Sequence, residues 1–553
     1  MSSVVHCVRE ADQGLYRRHV AATGRRYLSA LAAKRGIDDL ERFLSDDLSK
    51  LTSWQAIRGI NEAKNLILEA LRKNPQTIAI HSDYDADGLM GAYTFLTFVK
   101  RKFGIQLKWY VNHREKEGYG LQPAAVEKMA SEGISLIITI DNGITAHEAI
   151  AYAAKLGITV ILTDHHEPKI DQTGNQLLPP AAILLCHKIH GILDRAVDWC
   201  GAAMAWQLCR AIDEELGLEF IDAIALATVA DMVSLADPDN RLIVKAGLKK
   251  MQEGSYSTPA LGAFLEALGF GAGRSFDEED ISFQIAPVIN SAGRFSRAAE
   301  LLAALLDPAS SVQSFAPFIT LNEERKRLTS YWSARAEEIV ATMHDQPFLV
   351  VCLNDAPEGL AGLIASRLEN HYLKPTFVFV AKDGGWIGSG RARNFDLQLI
   401  FHADFGMEIK GGGHKEACGL RLPDDASLER FEKLLNRFQP EPLKLWVDGH
   451  LHAKKITKEL ATELSLLRPY GAGFEKPLFL IEGENFGRVQ IFKEQHLSFQ
   501  AEEVRFVCFN YQKRHHQLSC ERLDRFLYKG MPTLQRFREE EYLQVIVNAV
   551  VER

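Results

Sequence analysis

Short apolar runs alternate with amphipathic helical patterns between residues 57 and 231. Residues 77–80, 136–140 and 160–163 have the length and continuous hydrophobicity of buried strands. Helical patterns separate and flank these runs, at residues 93–101, 123–131 and 146–156. Alternating strands and helices predict a parallel sheet wound by right-handed crossovers, in which ligands bind where the strands end.

Acids and histidines follow the ends of these three runs. Asp83, Asp85 and Asp87 come after the first run at alternate positions, so an extended backbone would point them the same way. The other candidates at the predicted edge are His81, Asp141, Asp164, His165, His166 and Asp231. Six carboxylates in one pocket need about two divalent cations to be tolerated. For residues 81–88 alone, a solvated acidic turn is an equal alternative.

The ligand types restrict the metal. Mixed carboxylate and imidazole ligands suit manganese, with magnesium as the second choice. No cysteine stands among the candidates, which argues against a structural zinc site.

The motifs Asp164-His-His166, His81-Ser-Asp-Tyr-Asp-Ala-Asp-Gly88, Thr139-Ile-Asp-Asn-Gly-Ile144 and Thr228-Val-Ala-Asp-Met232 resemble those of the DHH phosphoesterase family. The resemblance covers nearly the whole chain and is closest to the family's single-strand-specific 5′ to 3′ DNA exonucleases. It implies an α/β fold with a DHH-type parallel-sheet core, a helical connector, a second α/β (DHH-associated) domain and a C-terminal OB-like β-barrel. The implied boundaries are 1–50 for an N-terminal helical segment, 51–240 for the catalytic domain, 241–345 for the connector, 346–442 for the DHH-associated domain and 443–553 for the OB fold.

The same resemblance assigns roles to the clustered residues. One metal would be held by His81, Asp85 and Asp141, and the other by Asp87, Asp141, His165 and Asp231, with Asp141 bridging. Asp83 and Asp164 would be catalytic acids that orient ligands and take protons. His166 would face the phosphate, although a hydrogen-bonded histidine at a strand end is the simpler alternative.

Nucleic-acid contacts are expected on the loops around this edge. The glycine-rich stretches 388–393 and 410–419 are interpreted as loops whose N–H groups approach phosphates, although each could be an ordinary turn. The candidates are Arg114, Asn290, Arg294, Ser389, Arg391, Arg393, Gly412, Gly413 and His414. Two departures from the family pattern are Val288, where an arginine is usual, and Pro357-Glu-Gly359, where a histidine is usual, so neither role is transferred.

Composition changes this interpretation little. The net charge of −8 does not indicate a nucleic-acid-binding protein, but bound cations would reverse the charge of the acidic pocket. No apolar stretch reaches the ~20 residues of a membrane span. The first residues lack a signal-peptide pattern and the eight cysteines are scattered, so we expect a cytoplasmic protein, as a monomer.

The implied reaction is two-metal hydrolysis of phosphodiester bonds in single-stranded DNA, with roles in DNA repair and recombination. Single-strand-binding protein and a helicase are candidate partners, and no P-loop indicates ATP. The alternatives are a DHH enzyme acting on short oligonucleotides or cyclic dinucleotides, a manganese pyrophosphatase, and a non-catalytic binding subunit. The OB-like region and the complete ligand set favour the exonuclease. Since the metal site lies in another domain, we expect deletion of residues 445–553 to spare hydrolysis of very short strands.

Overall fold

The computed structural model describes residues 5–171, 173–271, 273–274, 276–343, 346–402, 409–413, 415–514, 518, 522–537 and 540–552. The chain forms two compact units, one of residues 10–320 and 448–553, the other of residues 321–447 and the N-terminal residues up to Arg9. Among the described residues, no helix has the length and hydrophobicity needed to span a bilayer.

A five-stranded parallel sheet between residues 78 and 186 confirms the predicted parallel α/β core. The N-terminal elements are β1 (Val5–Val8), α1 (Gln13–Thr23), α2 (Arg26–Lys34), α3 (Leu40–Leu44) and α4 (Ile60–Lys73). Next come β2 (Ile78–Ser82), α5 (Ala86–Phe103), β3 (Lys108–Val111), α6 (Arg114–Glu117), α7 (Pro123–Ser131), β4 (Leu136–Ile140), α8 (His147–Lys155), β5 (Thr159–Asp164), the hairpin β6 (Lys169–Ile170) and β7 (Gln176–Leu177), and β8 (Ile183–Cys186). The order β3-β2-β4-β5-β8 is parallel throughout, so the ends of β2, β4 and β5 lie side by side.

Helices follow the sheet. They are α9 (Gly201–Ile212), α10 (Glu214–Leu218), α11 (Ile221–Ala230), α12 (Pro238–Gln252), α13 (Pro259–Ala267), α14 (Glu278–Asp280), α15 (Ala286–Arg294), α16 (Ala298–Leu306) and α17 (Ala316–Thr342). Residues 286–294 form α15, and a π-helical turn (Ile281–Ile285) leads into it. Pro287 stands in the first turn of α15, where a missing N–H breaks no helical hydrogen bond.

The second unit contains another α/β fold. Its elements are β9 (Leu349–Leu353), α18 (Ala361–Tyr372), β10 (Thr376–Lys382), β11 (Gly385–Arg391), α19 (Leu399–His402), β12 (Lys410–Gly413), β13 (Ala417–Leu422), α20 (Asp425–Leu435) and β14 (Lys444–Val447). The sheet order is β12-β13-β11-β10-β9. Strand β14 was expected to open the OB region but pairs with β1 instead.

The first glycine-rich stretch is mostly strand β11 rather than a loop, and its glycines serve packing. A Cβ on Gly388 would lie 2.5 Å from the Phe379 ring, and one on Gly390 would lie 2.7 Å from the Phe377 ring. Ser389 and Arg391 alternate with them and therefore project from the opposite face of the strand.

The C-terminal region is strand-rich, as expected. It contains β15 (Gly449–His452), α21 (Lys458–Ser465), β16 (Phe479–Glu482), β17 (Phe486–Phe492), β18 (His496–Ala501), β19 (Val504–Cys508), α22 (Tyr511–Arg514), β20 (Phe526–Phe537) and β21 (Glu540–Glu552), in the sheet order β15-β16-β20-β21-β19-β18-β17. Its buried side chains join those around the parallel sheet in one continuous hydrophobic core. The C-terminal sheet and the parallel sheet belong to the same compact unit.

Candidate metal centre

The acidic loop after β2 turns into a helix sooner than its alternating aspartates indicated. Asp85 caps α5, and its carboxylate accepts hydrogen bonds from the N–H groups of Asp87 (3.0 Å) and Gly88 (3.1 Å). Asp87 lies in the first turn, and its carboxylate accepts from the N–H groups of Gly201 (2.6 Å) and Ala202 (2.8 Å) at the start of α9. The alternation argument is therefore wrong, because capping by an aspartate starts the helix within the motif. The N-terminus of α9 stabilises the charge on Asp87.

Distant segments converge on this loop. Nitrogen or oxygen atoms lie within 4.8 Å of one another in three groups: Asp83, Asp85 and Asp141; Asp87, His165 and Asp231; and Asp141, His165 and His166. His165 Nε2 lies 3.3 Å from Asp141 Oδ1 and 3.7 Å from Asp87 Oδ2, and His165 Nδ1 lies 3.6 Å from Asp231 Oδ2. Asp141 and His165 each belong to two of these groups, and of the two only Asp141, a carboxylate, has two oxygens with which to bridge a pair of ions.

The electrostatics of this cluster fit divalent cations. Burial and the neighbouring carboxylates raise the pKa of Asp85, and they raise the pKa of Asp141 and Asp231 well above the usual range. Asp141 Oδ1 is buried and accepts no hydrogen bond from the described residues. Asp141 also has a φ of 62°, in the left-handed region that few non-glycine residues adopt. Asp141 Oδ1 therefore faces neighbouring carboxylates without a protein donor among the described residues, which suits metal ligation.

Asp164 plays a different part from the other acids. Its Oδ1 accepts from the N–H groups of His165 (2.7 Å) and His166 (3.1 Å) and contacts His166 Nδ1 at 2.7 Å, while its Oδ2 accepts from Ile144 N (2.8 Å). Burial alone would raise the pKa of Asp164, but the nearby His166 outweighs it and lowers this pKa to about 2. Conversely, Asp164 outweighs burial and raises the pKa of His166 to about 9. Asp164 thus orients a charged His166.

His81 is not among the ligand groups. Its Nε2 lies 2.8 Å from Asn112 Oδ1 and its Nδ1 lies 3.2 Å from Asn142 Oδ1. Both amides are fixed in this orientation, because Asn112 Nδ2 donates to the Gly118 and Gly120 carbonyls while Asn142 Nδ2 donates to the His81 and Ile140 carbonyls. The structure therefore engages both ring nitrogens of His81 and brings Asp83 to Asp85 and Asp141 instead.

Sequence reasoning missed Tyr119. Its hydroxyl lies 3.0 Å from His166 Nδ1 and 3.3 Å from the Asp141 carbonyl oxygen, and its ring meets the His166 ring edge to face. Burial and the surrounding acids raise the pKa of Tyr119 well above its usual range. The Gly-Tyr-Gly-Leu motif at residues 118–121 was the sequence feature that could have indicated a role for Tyr119.

The candidate nucleic-acid contacts fall into two sets. Asn290 Oδ1 accepts from Ala86 N (2.8 Å), so α15 lies against the metal loop, and Arg294 follows one turn later on the same helix face. Gly412 and Gly413 lie in the exposed strand β12. The side chain of Arg114 and the whole of His414 lie outside the described residues.

Ser389 and Arg391 come together in the second unit. A Cβ on Gly362 would lie 2.9 Å from Arg391 Nη2 and 3.5 Å from Ser389 Oγ. Arg391 Nη1 donates to the Gly390 carbonyl (2.7 Å), and among the described residues it forms no ion pair. Arg393, in contrast, pairs with the buried Glu369 at 2.8 Å.

We expect Asp85, Asp141 and Asp231 to stabilise the metal-free protein more strongly as the pH falls. The folded state raises their pKa values, so above their ordinary pKa near 3.8 these residues bind more protons than they do in the unfolded chain. Burial lowers the pKa of His81, His165 and His187, which opposes this trend. The measurement is therefore the difference between wild type and Asp141→Asn in the slope of Tm against pH, without metal, from pH 7.5 to pH 5.5. Asp141→Asn should gain less stability than the wild type as the pH falls, and equal slopes would contradict the raised pKa of Asp141.

A second prediction tests whether Asp83 or His81 is the metal ligand beside Asp85 and Asp141. Asp83→Asn should weaken Mn²⁺ binding about 10- to 100-fold, whereas His81→Gln should change it by less than about tenfold. The measurement is calorimetric titration of each folded variant with Mn²⁺. The reverse order of effects would restore His81 as a ligand.

Comparison with known proteins first defines the class. The family models that match are the DHH family, N-terminal domain at residues 77–230, the DHHA1 domain at 345–440 and the RecJ OB domain at 447–549. All residues of the sheet-edge cluster except Asp231 lie within the DHH match, so the fold is that of a DHH-family protein.

Individual relatives define the family more closely. The RecJ protein of Thermus thermophilus is 31% identical over 477 residues, covering 84% of this chain and 67% of that protein. RecJ of Bacillus subtilis is 31% identical over 475 residues, covering 82% of this chain, and the chain spans 58% of its length. The crystal structure of Thermus thermophilus RecJ in complex with Mn²⁺ matches all of this chain and 80% of that one, with 25% identity and a TM-score of 0.83. The chain belongs to the RecJ family of single-stranded-DNA-specific exonucleases.

Proposed function

We propose that this protein hydrolyses single-stranded DNA from its 5′ end, with two divalent ions, Mn²⁺ or Mg²⁺, as cofactors. The observation that carries the proposal is the convergence of Asp83, Asp85, Asp87, Asp141, His165 and Asp231 at the edge of the parallel sheet, with Asp141 in two of the ligand groups. The relatives named as single-stranded-DNA-specific exonucleases support the choice of substrate.

Different residues would bind the metal ions and contact the phosphate. When bound, divalent ions would lower the pKa of an attacking water and offset the charge that builds on the phosphate. Asp83, Asp85 and Asp141 would hold one ion, and Asp87, His165, Asp231 and Asp141 the other. Asp164 holds His166 through Nδ1, so His166 Nε2 is the group that would donate to a phosphate oxygen. Tyr119 fixes the second side of the His166 ring.

The proposed nucleic-acid contacts lie in both units of the chain. Asn290 and Arg294 on α15 are proposed to contact the strand beside the metal loop, and Ser389 with Arg391 its 5′ end. Arg114, Arg393, Gly412, Gly413 and His414 remain proposed contacts. The match of residues 447–549 to the RecJ OB domain favours long strands over the short oligonucleotides of other DHH enzymes. A cytoplasmic monomer that acts in repair and recombination, with single-strand-binding protein and a helicase as partners, completes the proposal.

The test is hydrolysis of single strands labelled at the 5′ or the 3′ end, in Mn²⁺ and in chelator. A 5′-to-3′ exonuclease releases the 5′ label as mononucleotide at once and shortens the 3′-labelled strand progressively. Matched duplex DNA should resist. Early release of the 3′ label would contradict the polarity, and cleavage in chelator would contradict the metal requirement.

A further inference from the structure

The loop that follows Asp231 is held at several points. Asp231 ends α11, and Met232 after it has a φ of 59°, so the chain turns sharply there. Ser234 N donates to Asp198 Oδ2 (2.8 Å), and the Asn240 amide donates to the Ser234 carbonyl (3.0 Å). These contacts come from the catalytic domain itself.

A further contact comes from the C-terminal region. Leu235 N donates to the carbonyl of Ala472 (2.7 Å), which lies in the turn formed by residues 469–474. Gly473 lies against Ser234, and a Cβ added to Gly473 would stand 2.9 Å from the Ser234 Cβ and closer still to its Oγ. Gly473 also has a φ of 70°. No larger residue fits at this position without moving the loop or the turn.

The turn cannot easily move. Tyr470 N donates to the buried Glu278 carboxylate (2.8 Å), and Phe474 packs edge to face against Phe43 with ring centroids 4.8 Å apart. Arg241, itself fully buried, donates to the Pro469 carbonyl (2.8 Å) and to the Leu235 carbonyl (3.3 Å). The guanidinium of Arg241 thus forms hydrogen bonds to both the turn and the loop. Strain introduced between the turn and the loop would therefore be transmitted to the loop that follows Asp231.

We infer that the turn 469–474, and Gly473 in particular, is a positioning element of the metal centre. The turn contacts Ser234 and Leu235. It thereby fixes the position of the carboxylate of Asp231, which lies three residues before Ser234. The inference rests on the metal-ligand role of Asp231 proposed above. Metal ligands must be held to within about 0.5 Å, so a small displacement of this loop reaches the bound ion.

This inference changes the expected result of a C-terminal deletion. The sequence placed the metal site and the OB region in separate domains, which predicted that very short strands would still be cut. Removing residues 445–553 also removes the turn, so hydrolysis of short and long strands should both fall.

The experiment compares Gly473→Ala with two matched glycine variants in calorimetric titration with Mn²⁺. Gly36 has nearly the same φ, 69°, and open space around it, so Gly36→Ala reproduces the backbone strain alone. Gly487 lies in the C-terminal region with nothing near and no positive φ, so Gly487→Ala controls for any substitution there. We expect Gly473→Ala to weaken Mn²⁺ binding about 10- to 100-fold and both controls to bind as the wild type does.

Two further variants make the result decisive. Ser234→Gly in the Gly473→Ala protein removes the colliding Cβ, so it should restore Mn²⁺ binding, even if Gly473→Ala alone does not fold. Wild-type affinity in folded Gly473→Ala, or no recovery in the double variant, overturns the inference. Asp231→Ala distinguishes the two proposals, because unchanged Mn²⁺ binding in that variant refutes the ligand role itself.

Discussion

Asp141→Ala should lower the rate of DNA hydrolysis by more than about a thousandfold, equivalent to ~4 kcal/mol of transition-state stabilisation. Asp141 belongs to two of the ligand groups and is the proposed bridging carboxylate, so its loss should affect both proposed ions at once. The measurement is kcat/KM on a single-stranded oligonucleotide at saturating Mn²⁺, after circular dichroism has verified the fold.

The matched control is Asp194→Ala. Asp194 is an exposed acid of the same domain that pairs with the exposed Arg58 at 3.0 Å. Its loss should leave kcat/KM near the wild-type value, since exposed ion pairs contribute little. Near-normal turnover of a folded Asp141→Ala protein would refute the two-ion site.

Arg391→Ala should reduce the use of 5′-phosphorylated strands far more than that of 5′-hydroxyl strands. The side chains of Arg391 and Ser389 both lie next to Gly362. Burial lowers the pKa of the Arg391 guanidinium, and Arg391 forms no ion pair among the described residues. A terminal phosphate carries more charge than an internal diester, so it gains more from this site. The expected difference is ~1.5–3 kcal/mol, the range for a hydrogen bond to a charged group.

Arg393→Ala is the natural comparison for this end-recognition test. Arg393 pairs with the buried Glu369, so its removal should lower the Tm and reduce activity on both strands equally. The quantity measured is the ratio of kcat/KM with and without the 5′-phosphate. If Arg391→Ala leaves that ratio unchanged, the end is recognised elsewhere, and Arg294 becomes the next candidate.

Residues whose role depends on their own strand were predictable from the sequence. Runs such as 136–140 and 160–163 read as buried strands, and the residues after them do meet at one edge. The hydrogen-bond environment of His81 was not predictable, because it is formed by the amides of Asn112 and Asn142, far away in the chain. The glycines of β11 were wrongly interpreted as part of a phosphate-binding loop for the same reason. The aromatic rings that pack against them belong to a different strand, β10.

Longer elements with mixed patterns were also missed. Strand β20 contains Lys529, Gly530 and Pro532, which individually disfavour a strand. Pairing with β21 over nearly its whole length outweighs those local preferences. Tertiary pairing of this kind leaves little trace in one segment of sequence.

The left-handed backbone of Asp141 has an evolutionary consequence. This residue combines an unfavourable φ with a buried charge, and Gly201 must lack a side chain because its Cβ would stand 2.5 Å from Asp141 Oδ1. Asparagine or glycine at position 141 would relieve both costs in the metal-free protein. A laboratory selection for thermostability alone would therefore drift toward losing this aspartate, and only a simultaneous demand for DNA cleavage would retain it.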